Sequence, residues 1–158
     1  MSTNNNVSKE QVLDAQKEWA DGIVRIGGDF MEKKDYVQTA KDHIDNLYAY
    51  DLSPVLFKPT KAAQEQFRST KDSALSYFVA SNGHCSEDKG FAIQPWIKVR
   101  FENSDIALQG NTALAMGNYF FTDTEGTETK VEYTFGYIMD ETGKLRINLH
   151  HSSVPFSG

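Results

Sequence analysis

The chain has 158 residues with 16 Lys and Arg against 22 Asp and Glu, a net charge of -6; this length fits a single domain with one core, residues 1–158, and residues 1–7 read as flexible. With no long basic run, a nucleic-acid or anionic-membrane surface is excluded, and apolar runs far short of the ~20 residues that span a bilayer leave a cytoplasmic location as the expectation. Cys85 is the only cysteine, which excludes an internal disulfide and a thiolate metal cluster.

Ser8 with Gln11 three residues on is a capping-box pattern, and Val12, Ala15, Trp19, Ile23, Ile26 and Phe30 follow at helical spacing. The pattern predicts a long N-terminal amphipathic helix in which Gly22, Gly27 and Gly28 mark close packing or a helix end. Tyr36, Val37, Ala40, Ile44 and Leu47 give a second helical stripe that stops near Asp51 to Pro54. Val55 to Thr60 is extended, and Pro59 confines it to an edge strand or a loop across a pocket mouth. Lys61 to Ser81 returns to helical spacing through Ala62, Ala63, Phe67, Ala74, Leu75, Phe78 and Val79, with Ser69 or Thr70 as an internal cap and Thr60 as an N-cap for Lys61 onward. Asn82 to Gly90 is a polar loop.

The remainder reads as an antiparallel meander: Phe91 to Leu108, Thr112 to Thr122, Thr129 to Met139 and Gly143 to Ser153. Turn residues separate the strands at Gln109 to Asn111, Asp123 to Thr127 and Asp140 to Gly143. Helices first and long antiparallel strands last predict an α+β fold in which one curved, cone-shaped sheet wraps around the N-terminal helix.

The last strand ends in His150, His151, Ser152 and Ser153, and its chemistry has several readings. Leu145, Ile147 and Leu149 alternate with Lys144, Arg146 and Asn148, so unbroken parity puts His151 and Ser153 on the apolar face, and His150 and Ser152 opposite, unless a bulge intervenes. Adjacent histidines then point to opposite faces and cannot easily chelate one ion. No strained turn presents a nucleophilic serine. The tetrad can equally be a plain polar strand end. Tyr77, Tyr133 and Tyr137 fit core positions as well as a site.

Ending a helix-then-meander chain in LHHSS, the sequence resembles the nuclear transport factor 2-like superfamily, and more closely its iota-class carbonic anhydrases. The resembling stretches are HIDNLYAYD, VLFKPTKAA, ALSYF, FAIQPWIKVRFEN, ALAMGNYFFT, VEYTFGY and GKLRINLHHSS, which cover most of the chain from His43. The resemblance implies reversible hydration of carbon dioxide to bicarbonate, with no metal and no cofactor. It also implies that the anion is held by hydroxyls of Thr60, Tyr77 and one serine of the final pair. The motif points to Ser152 and strand parity to Ser153, so both stand. Tyr133, Phe135, Tyr137 and Leu149 are expected to line the pocket, and imidazole chemistry makes His150 or His151 a candidate proton shuttle. The superfamily commonly pairs through its sheet, so a homodimer is expected, with Tyr119 and Phe121 as exposed aromatics. Two alternatives stand beside this reading. One is a ketosteroid-isomerase or cyclase type enzyme using Asp45 or Asp51 as base, and the other is a non-catalytic association module.

Overall fold

Ser8 starts the architecture. Its hydroxyl accepts the Gln11 N–H at 3.1 Å while the Gln11 side chain accepts the Ser8 N–H at 2.9 Å, so two donors at the helix start are satisfied reciprocally. Helix α1, Lys9–Met31, follows and buries Val12, Trp19, Ile23 and Ile26. The computed structural model describes residues 6–158, so residues 1–5 of the expected flexible segment lie outside it. Val7, expected to be loose, is buried, and its N–H bonds the Gly110 carbonyl at 2.8 Å.

Helix α2, Tyr36–Leu47, crosses α1 where Gly22 removes a side chain: a Cβ there would stand 2.1 Å from the buried His43 ring. A three-residue strand β1, Leu56–Lys58, follows, then helix α3, Lys71–Val79. The long strands are β2, Trp96–Gln109; β3, Thr112–Asp123; β4, Glu128–Met139; and β5, Leu145–Ser153. The sheet order is β1-β5-β4-β3-β2, with β1 parallel to β5 and the rest antiparallel. The result is an α+β fold whose curved sheet remains open between its edge strands β1 and β2, with α1 against its concave face.

That concave face fills by size matching. On β3 the small residues Ala113, Ala115 and Gly117 pair with Tyr137, Phe135 and Tyr133 of β4, whereas Tyr119 pairs with Val131. Bulk therefore shifts from β4 to β3 along the sheet, and Tyr119 and Phe121 are buried at 2% and 1% exposure. Their expected role as exposed dimer aromatics does not hold; the residues exposed on this strand are Leu114 and Met116.

The expected helix from Lys61 forms only from Lys71, capped by Thr70. Residues 61–69 are irregular because the Glu87 carboxylate collects the backbone donors of Ala63 at 2.9 Å, Gln64 at 3.0 Å and Glu65 at 2.7 Å, while the Arg68 N–H goes to the Phe57 carbonyl at 2.8 Å. Phe67 is accordingly outside the core. Fully buried Arg68 fixes the same segment through paired bonds to Asp88 at 2.6 and 2.7 Å, so Thr60 caps no helix.

Gly136 of β4 pairs with Leu149 and Tyr137 with Ile147, leaving Asn148 as an extra residue in β5. A Cβ at Gly136 would stand 2.8 Å from Leu149 Cβ and 3.0 Å from Asn148 Oδ1. The nearer atom, Leu149 Cβ, is fixed to the backbone and cannot swing away, so Gly136→Ala is expected to lower stability by roughly 1–3 kcal/mol through overpacking. Urea unfolding measures this; an unchanged midpoint would show that the bulge tolerates a side chain there.

Candidate active site

The extra residue at Asn148 decides which of the terminal side chains face inward. Before it, Leu145 and Ile147 are buried; after it, His150 and Ser152 are buried at 2% and 1% exposure. The parity expectation for Ser153 and His151 is thereby reversed. Ser153 donates to the Glu132 carboxylate at 3.0 Å on the outer face, and His151 is exposed there. Leu149, expected in the pocket, also turns outward beside Leu56 and Phe67. One inserted residue moves a strand's whole side-chain set to the other face.

Around Ser152 gather hydroxyls from distant parts of the chain. Ser152 Oγ lies 2.7 Å from Thr60 Oγ1, and the Tyr119 hydroxyl bonds to Ser152 as well. Thr60 is delivered by β1, whose parallel pairing with β5 sets Phe57 beside His150 before Pro59 ends the ladder. Tyr77 comes from α3; its oxygen accepts the Lys61 N–H at 3.3 Å and Thr60 lies against its hydroxyl. Of the expected set, Thr60, Tyr77 and Ser152 are brought together, and Ser153 is not.

Behind Ser152 the polar contacts continue inward. His150 Nε2 is 3.1 Å from the Tyr119 hydroxyl and its Nδ1 is 2.8 Å from the Tyr48 hydroxyl, which accepts the Trp19 indole N–H at 3.0 Å. The imidazole stacks on Phe57 at 4.7 Å with a 10° interplanar angle and packs on Phe135 at 4.2 Å. Burial, with smaller contributions from His151 and His43, holds His150 well below the usual imidazole range. The expected shuttle role therefore meets a geometric obstacle at both histidines: His150 is enclosed and His151 faces away. Burial likewise raises the Tyr77, Tyr119 and Tyr48 phenols, so all three keep their protons.

The remaining expected lining residues belong to the packed interior. Phe135 contacts His150, Tyr133 pairs with Ser152 across β4 and β5 while its hydroxyl accepts from Gln16, and Tyr137 lies within the core. Open space lies instead at the Tyr77 end, in a cavity of about 280 Å³ lined by Lys61, Tyr77, Glu87, Lys89, Phe91 and Gln94. Burial and the neighbouring Lys89 lower the Lys61 ammonium. Asp45 and Asp51, the alternative bases, sit on the exterior in ion pairs with Lys71 and Arg146. Among the described residues no group of three or more His, Cys, Asp or Glu is placed to hold a metal ion.

Sequence reasoning missed Tyr119 and Tyr48. The run of Ala113, Ala115 and Gly117 opposite large residues of β4 is the signal that the odd positions of β3, Tyr119 among them, face inward. Tyr48 carried no periodic signal. It follows α2 and is held by Arg146, which donates to the Asp45 and Tyr48 carbonyls and to Asp51, each at 2.7 Å.

Solved structures with this architecture define the fold class. The structure superposes on a protein assigned as a calcium/calmodulin-dependent protein kinase II association domain from Xanthomonas campestris with a TM-score of 0.65 at 18% identity, covering 100% of this chain and 95% of the other. A dehydratase-assigned member of the nuclear transport factor 2-like family from Streptomyces avermitilis gives 0.56 at 18% identity, with 94% and 96% covered. The fold is that of the nuclear transport factor 2-like proteins. More specific matches follow. The model of the metal-independent carbonic anhydrase family matches residues 10–154. A metal-independent carbonic anhydrase from Nostoc sp. is 43% identical over 97% of this chain and 76% of its own. A cyanobacterial iota-carbonic anhydrase, crystallised with bicarbonate, superposes with a TM-score of 0.96 at 40% identity over 100% of this chain and 98% of that one. The chain belongs to the metal-independent carbonic anhydrase family and is an enzyme of that class.

Two buried histidines give the fold a pH signature. Burial lowers His43 to about 3 and moves His150 in the same direction. Below the unfolded value of about 6.5 the unfolded chain binds protons that the folded chain refuses, so stability is full above that value and falls as pH drops toward the folded value. Between about pH 7.5 and about pH 5 the loss should be roughly 2 kcal/mol per histidine. Urea unfolding across that range measures it, and a flat profile contradicts the neutral assignment.

Proposed function

We propose that the chain hydrates carbon dioxide reversibly at the hydroxyl cluster of Thr60, Tyr77, Tyr119 and Ser152. The observation that carries this reading is the convergence of hydroxyls from separate elements on Ser152, beside the cavity that Tyr77 lines. The bicarbonate in the cyanobacterial relative's crystal structure supports the same substrate here.

Hydration requires a water oxygen to bond to the carbon while one C=O electron pair moves onto oxygen and the water gives up a proton. Thr60 and Ser152 are positioned to hold the water. Tyr77 and Thr60 donate to the oxygen that gains charge, and fixed donors there need no reorganisation during the reaction. Because the phenols are raised by burial, they serve as donors and not as bases. The released proton passes to water at the cavity mouth. Phe91, stacked on Tyr77 at 5.6 Å, supplies an apolar wall for uncharged carbon dioxide. Lys61, bonded to Gln94 at 3.0 Å, places a positive charge on the path of the anion. The outer face of the sheet, with Leu114 and Met116 exposed, supports pairing of two copies.

Stopped-flow hydration assays test the site. Thr60→Ala, Tyr77→Phe, Tyr119→Phe and Ser152→Ala should each lower kcat/KM by about 10- to 100-fold, the scale of losing a transition-state donor. Ser153→Ala and His151→Ala should retain wild-type rates, and dialysis against chelator should leave activity intact. Full activity in all four inner variants would remove the proposed site; activity lost to chelator and restored by metal would remove the metal-free mechanism. Sedimentation analysis of Leu114→Lys checks the pairing face: the wild type should run as a dimer and the variant as a monomer.

A further inference from the structure

The contacts behind Ser152 have a direction fixed by donor chemistry, and this deepens, and rests on, the hydroxyl-site reading above. The Trp19 indole N–H can only donate, and it donates to the Tyr48 oxygen at 3.0 Å. Tyr48 is fully buried, so its own proton needs an acceptor, and the His150 Nδ1 atom stands 2.8 Å away. Nδ1 must then be bare. A neutral ring carries its proton on Nε2, which donates to the Tyr119 oxygen at 3.1 Å. Tyr119, its oxygen occupied, passes its proton to Ser152, whose own proton goes to Thr60 at 2.7 Å, the nearer of its two acceptors, the other being the Glu132 carbonyl at 3.4 Å.

We infer that Trp19, Tyr48 and His150 are positioning residues forming a one-way hydrogen-bond chain, which locks His150 as the neutral Nε2–H tautomer and runs through Tyr119 and Ser152 to Thr60, whose proton at the end of the chain is left to donate to the substrate. The direction forbids the opposite role. Drawing a proton inward would require every link to reverse, and the indole at the far end accepts nothing. His150 therefore does not carry away the proton released by the attacking water; it sets the polarity of the chain that ends in the Thr60 donor. Aligned bonds also polarise one another in an apolar setting.

The surroundings leave the ring nothing to pair with as a cation. Trp19 of α1, Tyr48 after α2, Phe57 of β1, Tyr119 of β3 and Phe135 of β4 enclose it. The ionisable groups acting on it are His151 and His43, and protonation of either opposes a charge on His150.

Nitrogen-15 NMR of the histidine rings in the intact protein tests this without relying on activity. His150 should show one neutral Nε2–H form from about pH 5 to about pH 9. Titration within that range, or a proton on Nδ1, overturns the inference. Trp19→Phe and Tyr48→Phe remove the first donor and the second link separately, so a folding failure in one leaves the other informative. Each should bring an Nδ1–H population into the His150 signal and lower kcat by about tenfold while KM changes little. A variant that folds, keeps the single Nε2–H form and keeps wild-type kcat also overturns it. Absence of hydration in the wild type would instead defeat the proposed function and leave the tautomer assignment standing.

Discussion

One residue of excess in β5 sets the site. With Asn148 accommodated opposite the bare Gly136, the apolar alternation that begins at Leu145 changes phase, and His150 and Ser152 enter the concave side. The flanking elements are cut to match. Strand β1 pairs in parallel with Leu149, His150 and His151, placing Phe57 on the imidazole and Thr60 one turn of chain beyond. Tyr48 bridges Ile147 just before the phase change, so its hydroxyl reaches Nδ1 just after it. Reversing the phase would send Ser152 to the outer face and leave Thr60 and Tyr119 without their shared partner.

The same feature explains what was legible in the sequence. Periodicity and turn residues located α1, α2 and the long strands, because caps and alternating faces are local properties. The capping box at Ser8 and the turns at Gly110, Gly126 and Gly143 formed where they were read. A bulge is not a local property of β5. It depends on Gly136 in the neighbouring strand, so parity counted along β5 alone selected Ser153. Likewise Ala62, Ala63 and Phe67 have helical spacing, but the backbone donors of Ala63, Gln64 and Glu65 go to Glu87, more than twenty residues away, and no local rule detects that competitor. The resemblance contributed Thr60 and Tyr77, which spacing could not, and left Ser152 and Ser153 both standing. Tyr119 was misjudged because both faces of β3 carry large apolar residues, and only the pairing of Ala113, Ala115 and Gly117 with large residues of β4 separates them.

Charge is distributed so that the interior works with dipoles. Near Ser152 the buried groups are phenols, hydroxyls and one imidazole, all held neutral by desolvation. The ions stand around the mouth: Lys61, Lys89, Glu87, and Asp88 locked to Arg68. Under the proposed reaction this division has a kinetic reason. Bicarbonate is both product and, in reverse, substrate, so its complex must be neither weak nor long-lived. Charge-assisted hydrogen bonds are roughly twice as strong as neutral ones, and a buried cation against the anion would deepen the bound state as much as the transition state. Such uniform binding lowers KM without raising kcat. Neutral donors that are already aimed at the oxygen gaining charge avoid this, because their interaction strengthens as that charge develops. A chain of hydroxyls fixed in one direction ends in a donor of that kind while leaving the cations at the mouth, where they can attract an anion without holding it.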